Sequence, residues 1–552
     1  MRNLLTVLLF LFYTTGLFAE KFVSEVRSLP GEKWYGAYTA KAWCDTPLKN
    51  IRFQPFDFNT PKKDLNDNLG NQAAPVLLSN MGRYVWSNEP FAFELKEGNL
   101  ILYSDTEKPE AILAGKSLRD AYVAAKDKYF PASGKTPNPL MFKIPQYNTW
   151  IELGNNQNQK DILKYADNIL KNGFPVGGFM IDDIWSKDYG TFEFDANTFP
   201  DPKGMMDNLH AKGFKVMLWL TPFISPDGKE YKELVRNGCL VLKKGSKYPA
   251  LINWWNGYSA CLDLTNPKTT DWLRGQLKNL QTKYGIDGFK FDAGDFLFYT
   301  KGSSIYLNEE TNTTGPKQME MYAKLGAEFD YNEFRACWKM GNQPLAQRLQ
   351  DKGFSWDELK LLVPDMISAG LIGHPFTCPD MIGGGLLSVF EKIDLTKFDQ
   401  ELMIRSAQIQ ALMPMMQFSV GPWRVLDEKN LAICREAALL HAKMGDYIFE
   451  LAAQAAKDGE PIVRHMEYEF PQQGFESCND QYMLGDEYLV APMVDRGESR
   501  DVKLPKGNWM DDLGKKYKGG QTVKMVVPLN RLVYFIRQKW KDKLYRTSQY
   551  AR

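Results

Sequence analysis

The chain has 552 residues, which is too long for one hydrophobic core, so two to four domains are expected. Its 68 basic and 67 acidic residues leave a formal net charge of +1, which argues against nucleic-acid binding driven by bulk electrostatics. A hydrophobic content of 44% with 24% charged residues is ordinary for a soluble globular protein.

The N-terminus has the pattern of a secretory signal peptide. The basic Arg2 comes first, residues 4–18 form a short apolar run, and Ala19 precedes polar sequence. The run is too short to span a bilayer comfortably, and no later stretch reaches about 18 apolar residues. We therefore predict a signal peptide over residues 1–19, no membrane span in the mature chain, and export to the periplasm or the extracellular space.

Residues 20–138 are predicted to fold as an N-terminal β-sandwich. Short apolar runs alternate with turns, and the first long helical period comes only at residues 117–127. The clearest of these apolar runs are residues 93–95, 99–103 and 111–113.

Residues 139–460 alternate strand and helix patterns, which favours a (β/α)₈ barrel. The predicted barrel strands are residues 147–150, 178–185, 214–219, the run that ends at Asp292, and residues 334–338, 375–380 and 415–418. The sixth strand of the barrel has the weakest pattern in the sequence. An open doubly wound sheet is an alternative, but the chain lacks a phosphate-binding loop at its first turn.

The fourth of these predicted strands would place a reactive side chain at the mouth of the barrel. A helical segment over residues 271–284 ends at Gly285, a short apolar strand follows, and Asp292 stands where the apolar run stops. Because the C-terminal strand ends of a barrel open into its site, we expect the Asp292 carboxylate to face the barrel mouth. The alternative is an ordinary aspartate in a strand-to-helix turn. Asp182 and Asp183 end the second strand in the same way.

After residue 460 short strand patterns return, which predicts a small C-terminal β-domain over residues 461–552. The predicted fold class is therefore α/β, with a (β/α)₈ TIM barrel between an N-terminal β-sandwich and this C-terminal β-domain. Neither a metal nor a cofactor is predicted. The four histidines lie far apart, the seven cysteines form no Cys-x-x-Cys pair, and no dinucleotide fingerprint is present. Most of the cysteines are expected to be buried thiols.

Several motifs, in order along the chain, resemble glycoside hydrolase family 31. They are Asp182-Asp183-Ile184-Trp185, Phe199-Pro200-Asp201-Pro202-Lys203, residues 209–216, Ser355-Trp356-Asp357-Glu358 and Tyr482-Met483-Leu484-Gly485-Asp486. The resemblance is continuous from about residue 140 to residue 510 and thinner over the N-terminal sandwich. It implies retaining hydrolysis of α-glycosides by a carboxylate nucleophile and a separate carboxylic acid/base.

By this resemblance Asp292 matches the nucleophile and Asp351 the acid/base. The first carboxylate must be ionised at the anomeric carbon, whereas the second must protonate the leaving oxygen and then accept a proton from water. Lys290, two residues before Asp292 on the same strand face, would favour the ionised nucleophile. Burial near a second carboxylate is expected to raise the pKa of Asp351.

The resemblance also implies a sugar-binding pocket. Arg335 lies sixteen residues before Asp351, as the family's sugar-binding arginine lies before its acid. Asp182 corresponds to the aspartate that holds hydroxyls on the far side of the −1 sugar, and Asp183 is expected to assist rather than react. A structural role remains the alternative for Lys290, Trp219 and Trp255. The predicted substrate-binding residues are Asp182, Asp183, Trp219, Trp255, Lys290, Arg335, Asp380 and Trp150.

Two departures from the family's α-glucosidase pattern bear on the substrate. Asp292-Ala293-Gly294-Asp295 stands where those enzymes carry Asp-Met-Asn-Glu, and residues 414–423 lack the histidine that contacts ring hydroxyls. Both departures resemble the branch that contains myogenesis-regulating glycosidase and bacterial α-galactosidases. An exo-acting α-galactosidase is predicted, with an α-glucosidase or α-xylosidase as the alternative. An inactive carbohydrate-binding protein is the alternative from a different class. The predicted partner is a glycoside or oligosaccharide.

Overall fold

The computed structural model describes residues 21–39, 54–67, 71–299, 311–390 and 393–538. The predicted signal peptide lies outside these ranges. Within them, no helix is both long and apolar enough to cross a bilayer. The six cysteines in the described parts of the chain are unpaired; Cys478 is half-buried and the others are buried.

Two sheets pack around a shared core in the N-terminal domain. The first has the strand order β1-β7-β6-β3, and in the second β4 pairs with β2 and β5, and β5 pairs with β8. Trp34 and Leu77 from one sheet pack with Phe93 and Leu102 from the other, so the predicted β-sandwich is confirmed. The elements are β1 (Phe22–Val26), β2 (Trp34–Tyr38), β3 (Lys63–Asp64), β4 (Gln72–Ser79), β5 (Arg83–Trp86), β6 (Ala92–Lys96), β7 (Asn99–Ser104), β8 (Ala111–Leu113) and α1 (Leu118–Tyr129).

The middle of the chain forms the barrel. Its strands, including those of its loops, are β9 (Gln146–Asn148), β10 (Gly178–Ile181), β11 (Lys215–Leu220), β12 (Phe223–Ile224), β13 (Leu251–Trp254), β14 (Gly257–Cys261), β15 (Gly288–Phe291), β16 (Asn332–Phe334), β17 (Cys337–Trp338), β18 (Gln347–Arg348), β19 (Thr377–Cys378) and β20 (Gln417–Phe418). Its helices are α2 (Leu140–Lys143), α3 (Trp150–Leu153), α4 (Gln159–Lys171), α5 (Pro202–Ala211), α6 (Tyr231–Arg236), α7 (Pro267–Tyr284), α8 (Gly315–Gly326), α9 (Trp356–Lys360), α10 (Leu362–Leu371), α11 (Leu387–Phe390), α12 (Gln400–Ala411) and α13 (Glu428–Asp458).

Eight parallel strands make the barrel wall in the order β19-β18-β16-β15-β11-β10-β9-β20. A parallel bridge between Met381 and Gln417 joins the two ends of this sheet, so the barrel closes. The predicted (β/α)₈ architecture is therefore confirmed. The carboxyl ends of all eight strands meet at one edge, which is where barrel sites form.

Helix α7 and strand β15 fold as their sequence pattern predicts. The Asn266 side chain caps the helix start, Pro267 occupies the first turn, and Gly285 ends the helix at a φ of 84°, which favours glycine. Strand β15 is buried along its whole length. Asp292 follows it directly and so reaches the carboxyl edge of the barrel.

Two sequence predictions in this region differ from the structure. Residues 334–338 do not form one barrel strand, because β16 ends at Phe334 and β17 pairs in parallel with β4 of the N-terminal domain. The backbone leaves the barrel between them, where the Gln72 side chain donates to the carbonyl oxygen of Arg335. Ser355, followed three residues later by Glu358, matches a helix-capping pattern that predicts one helix over residues 355–369, but the structure has two helices, α9 and α10, which meet at Leu361. Ser355 caps α9 as predicted.

The C-terminal domain contains a sheet of order β21-β22-β23-β28-β25-β26 and a second pair, β24-β27. Arg405 of α12 ties this domain to the barrel, because its buried guanidinium donates to the carbonyl oxygens of Val527 and Arg531. The elements are β21 (Val463–Arg464), α14 (Met466–Glu469), β22 (Tyr482–Leu484), β23 (Tyr488–Ala491), β24 (Ser499–Leu504), β25 (Asn508–Asp511), β26 (Lys516–Lys518), β27 (Gln521–Val526) and β28 (Val533–Arg537).

Candidate active site

A cavity of about 300 Å³ opens at the carboxyl edge of the barrel. Its described wall includes both predicted catalytic aspartates and all the predicted substrate-binding residues except Asp380. The lining residues are Trp150, Asn155, Asp182, Asp183, Trp219, Trp255, Asn256, Lys290, Asp292, Arg335, Arg348, Asp351, Met381, Gly385, Leu386, Leu387 and Ser388.

The Asp292 carboxylate lies on the wall of this cavity. Its Oδ2 accepts a hydrogen bond from Trp219 Nε1 at 2.6 Å, and Arg335 Nε lies 3.9 Å from its Oδ1. Among the described residues no donor makes a hydrogen bond to the buried Oδ1. Burial alone would raise the pKa of Asp292, but the positive charges of Lys290, Arg335 and Arg348 lower it to about 2. The carboxylate is therefore ionised at neutral pH with one oxygen unused.

Lys290 and Asp182 form a buried ion pair on the cavity wall. Lys290 Nζ lies 2.7 Å from Asp182 Oδ2, and each side chain is 3% exposed. Asp182 is fixed by the barrel, since its backbone N–H donates to the Thr149 hydroxyl. Burial opposes the charged form of Lys290, but Asp182 and Asp292 raise its pKa. Lys290 therefore stays positively charged beside Asp292.

Arg335 connects the two predicted catalytic groups. Its Nε donates to Asp295 Oδ2 at 3.0 Å, and its Nη1 lies 3.3 Å from Asp351 Oδ2. The Trp255 ring packs against the guanidinium, with 5.3 Å between the ring centroid and Cζ. Asp292 and Asp351 consequently lie on either side of a single cation.

Asp351 follows strand β18, where Arg348 contacts it closely. Arg348 Nη1 lies 2.6 Å from Asp351 Oδ1. Burial raises the pKa of Asp351, but Arg348 and Arg335 outweigh burial and lower the pKa below its ordinary value. The expectation of a raised pKa for Asp351 was wrong for the unliganded site, because it counted burial and the second carboxylate but not Arg348.

Asp380 lies behind Arg348, and the described wall of the cavity does not include it. Its Oδ1 is 2.9 Å from Arg348 Nη1, and its Oδ2 accepts a hydrogen bond from the backbone N–H of Lys352 at 2.8 Å. Burial raises the pKa of Asp380 to about 6 against the opposing effect of Arg348. The geometry therefore assigns Asp380 to support of the wall rather than to contact with a substrate.

Comparison with known proteins matches both the barrel and the C-terminal domain to known family models. Residues 145–451 match the family model of the glycosyl hydrolases family 31 TIM-barrel domain, and residues 459–539 match that of the family 31 C-terminal domain. Myogenesis-regulating glycosidase of Mus musculus is 32% identical over 401 residues, which are 71% of this chain and 55% of the relative. The chain belongs to glycosyl hydrolase family 31.

Other family 31 proteins are more distant. Alpha-glucosidase 2 of Bacillus thermoamyloliquefaciens is 24% identical over 77% of this chain and 56% of its own length. A Flavobacterium johnsoniae GH31 dextranase complexed with glucose superposes with a TM-score of 0.79 at 20% identity, over 93% of this chain and 66% of the dextranase; this likeness shows the fold alone. The chain spans about half the length of the curated relatives that it matches first.

Asp183 adds a fourth carboxyl group to the cavity wall, beside those of Asp182, Asp292 and Asp351. It accepts hydrogen bonds from Tyr189 Oη at 3.0 Å and from Asn256 Nδ2 at 2.6 Å. Burial and the neighbouring Asp182 raise the pKa of Asp183 to about 7. Ile184 follows at a φ of 67°, a strained value for a β-branched residue, and its N–H donates to Asp183. Asp183 thus holds the β13–β14 hairpin turn, which carries Trp255 and Asn256, against the cavity.

The segment after the last barrel strand, where the expected histidine is missing, packs against α3. Ser419 Oγ accepts a hydrogen bond from the Ile151 backbone N–H at 2.7 Å, and the side chain is buried. Ser419 does not belong to the described cavity wall. On that side the wall is instead built by Trp150, whose Nε1 donates to the Gly385 carbonyl oxygen at 2.9 Å.

Sequence reasoning missed several lining residues. Arg348 lies in a strand of two residues that carries no apolar pattern, and Asn256 lies in a hairpin turn whose partner is 73 residues away. The only sequence signal for Arg348 was its position three residues before Asp351. Asn155, Met381, Gly385 and Leu386 come from loops, and Leu387 and Ser388 begin the short helix α11; none of them had a signal in the sequence.

Proposed function

We propose that the protein is a retaining α-glycoside hydrolase that acts by double displacement on terminal sugars. The observation that carries this proposal is that Asp292 and Asp351 share one cavity wall and that Arg335 reaches both. Retaining enzymes need two carboxyl groups about 5 Å apart, one on each side of the bond to be cleaved. A single cavity of about 300 Å³ suits a terminal sugar better than the middle of a polymer.

Each group has a defined task in this mechanism. The Asp292 carboxylate attacks the anomeric carbon as Asp351 protonates the leaving oxygen, and Asp351 then takes a proton from the water that releases the sugar from Asp292. Lys290 and Arg335 keep Asp292 ionised for the attack. Because Arg348 and Arg335 favour the ionised form of Asp351, only a minor fraction is protonated at neutral pH. We therefore expect activity to increase toward acidic pH.

An α-galactoside is the proposed substrate, and an α-glucoside or α-xyloside is the second candidate. The support is the pair of departures from the α-glucosidase pattern, at residues 292–295 and at residues 414–423. An axial and an equatorial 4-hydroxyl point to different walls of the pocket, so one set of buried groups cannot satisfy both. Each mismatched hydroxyl leaves polar groups unpaired, at roughly 1–3 kcal/mol.

The charges around the cavity favour a neutral sugar over a sulfonated or carboxylated one. Every basic side chain on the wall is already paired with a carboxylate, and carboxyl groups outnumber basic groups. A negatively charged group on the sugar would be repelled by these carboxylates and would find no unpaired cation on the described wall. The carboxyl groups are those of Asp182, Asp183, Asp292, Asp295, Glu333, Asp351 and Asp380, and the basic groups are those of Lys290, Arg335 and Arg348.

A panel of nitrophenyl α-glycosides tests this proposal. We expect the α-galactoside to be cleaved with roughly ten-fold or more higher kcat/KM than the matching α-glucoside, and Asp182→Ala to abolish both activities. If the α-glucoside or the α-xyloside is preferred, the galactoside assignment fails but the two-aspartate mechanism stands. If no glycoside is turned over while calorimetry detects sugar binding, the protein is an inactive carbohydrate-binding protein.

We also propose that the protein is exported, on the strength of the signal-peptide pattern in residues 1–19. N-terminal sequencing of the protein recovered from cells tests this. A mature chain that starts near residue 20 supports export, and an intact Met1 in the soluble cell fraction contradicts it.

A further inference from the structure

Arg348 makes more contacts with catalytic-site carboxylates than the proposed mechanism uses. Its Nη1 lies 2.6 Å from Asp351 Oδ1 and 2.9 Å from Asp380 Oδ1, and its Nε lies 3.4 Å from Glu333 Oε1. The side chain is 1% exposed, yet it reaches the cavity wall. We propose that Arg348, anchored by Asp380 and Glu333, is a positioning residue that fixes the Asp351 carboxylate and sets the alkaline limit of activity. This inference rests on the proposed role of Asp351 as acid/base.

Asp380 anchors Arg348 and the Asp351 loop together. Besides its contact with Arg348, it accepts the backbone N–H of Lys352, the residue that follows Asp351. Asp380 has a φ of 86°, a region that non-glycine residues rarely adopt. Strained backbone of this kind clusters at active sites, which supports a functional role for these two contacts.

Glu333 anchors Arg348 from the barrel interior. It is fully buried on strand β16, and its Oε2 accepts a hydrogen bond from Gln417 Nε2 at 2.6 Å. A buried arginine needs compensating partners, and Glu333 and Asp380 contact Arg348 in addition to Asp351. Arg348 is therefore held by two contacts that do not involve Asp351.

The backbone at Gly384 and Gly385 packs closely against Asp351 and Lys352. At Gly385 an added Cβ would lie 2.7 Å from Asp351 Oδ1, and at Gly384 (φ of 94°) it would lie 2.3 Å from the Lys352 carbonyl oxygen. The absence of side chains there lets the backbone approach the carboxylate closely. Asp351 thus has Arg348 on one side and bare backbone on another, which leaves its carboxylate little freedom to rotate.

The charged groups around Asp351 determine the sign of the expected effect. Arg348, Arg335 and Lys290 favour its ionised form, whereas Asp292 opposes it. Asp380 and Glu333 contact Arg348, and Asp295 contacts Arg335, so these carboxylates weaken the effect of the arginines without cancelling it. Removing the charge of Arg348 should therefore raise the pKa of Asp351. Activity would then extend to higher pH, because Asp351 would hold its proton longer.

The test is the pH dependence of kcat/KM for the nitrophenyl glycoside that the wild type prefers. Arg348→Met should move the alkaline limb of the profile upward by one pH unit or more. Arg348→Lys keeps the positive charge and should move the alkaline limb by less than half as much. Arg348→Gln, which keeps a hydrogen-bond donor without the charge, should behave as Arg348→Met does and serves if the methionine variant fails to fold.

Arg405→Met is the matched control. Arg405 is equally buried, but it contacts the C-terminal domain and no residue of the cavity. Its replacement should lower the unfolding temperature and leave both limbs of the pH profile unchanged. If the Arg348 variants lose activity equally at all pH values, as expected of a merely structural arginine, the proposal is refuted.

A double-mutant cycle of unfolding temperatures at pH 7 gives a readout that needs no substrate. Arg348→Met should lower the unfolding temperature much less in the Asp351→Asn background than in the wild type, because its partner charge is already gone. Equal losses in both backgrounds would overturn the Arg348–Asp351 coupling. Failure of the glycoside panel would instead refute the proposed function and leave the result of the cycle standing.

Discussion

Replacement of Lys290 by methionine tests the electrostatic design of the site most directly. The Lys290–Asp182 pair is almost fully buried, with 2.7 Å between the charged atoms. Breaking such a pair leaves an uncompensated buried charge, which costs about 3–5 kcal/mol. Removing both charges avoids this cost, so the Lys290→Met/Asp182→Asn double variant should lie within about 1–2 kcal/mol of the wild type.

Lys290→Met should also change catalysis, and adding Asp182→Asn should not reverse that change. Lys290 is the first of the positive charges that lower the pKa of Asp292 against the effect of burial. Without it the pKa of Asp292 should rise by about 1–3 units, so the acidic limb of kcat/KM should move upward by a similar amount. Asp182→Asn restores the internal charge balance but returns no cation to Asp292.

Thermal unfolding of the single and double variants and the pH profile of Lys290→Met measure the two effects separately. We expect Lys290→Met to unfold several degrees below the wild type and the double variant to recover most of that loss. The acidic limb should be shifted in Lys290→Met. A double variant no more stable than the single one would show that the pair does not interact as the distances indicate. An unmoved acidic limb would refute the role of Lys290 in keeping Asp292 ionised.

Three further outcomes follow from the two-carboxylate site. Asp292→Asn is nearly isosteric and should remove almost all turnover while the unfolding temperature changes little. Asp351→Ala should retain glycosylation by an aryl glycoside better than deglycosylation, and added azide should yield an α-glycosyl azide. Formation of the α-glycosyl azide by Asp292→Asn instead would show that the two roles are exchanged. Activity should survive EDTA, and a loss that a divalent ion restores would contradict the metal-free mechanism unless that ion acted only on stability.

The barrel could be predicted from sequence to the extent that its strands are apolar. Strands β10, β11 and β15 are runs of four to six residues that are almost entirely buried, so each leaves a visible apolar pattern. Strand β18 contains only Gln347 and Arg348, and two polar residues carry no period. Cys337 and Trp338 look like a barrel strand in sequence, but their partner is Gln72 and its neighbours, more than 260 residues away. Local patterns contain no information about that choice.

The site residues that lie at the ends of strands could be predicted from sequence. The pKa shift of Asp351 could not, because it depends on charges that only the tertiary fold brings together. Asp292 and Asp182 lie at the ends of recognisable strands, and their positions follow from barrel topology. The ionisation of Asp351 depends on the sum of several neighbours, of which Arg348 was not recognised. Asn256 reaches Asp183 only because the β13–β14 hairpin folds over the barrel mouth. Neither the direction of the pKa shift of Asp351 nor the contact of Asn256 can be read from residue order.

The segment at strand β20, after which the expected histidine is missing, belongs to a buried network, which leads to a last prediction. Gln417 binds Glu333, Glu333 compensates Arg348, and Ser419 Oγ accepts the Ile151 N–H near the start of α3. Introducing a histidine by Ser419→His would therefore overpack a fully buried position, at about 1–3 kcal/mol, and remove an acceptor from a buried backbone N–H.

We expect Ser419→His to lower the unfolding temperature by several degrees without changing the ratio of α-galactoside to α-glucoside kcat/KM. Ser419→Ala, which removes the acceptor without adding volume, is the matched control and should destabilise less. A clear shift of the ratio toward the α-glucoside in a stable Ser419→His variant would mean that this one position selects the sugar. In that case the buried network from Gln417 to Arg348 would have no part in substrate choice.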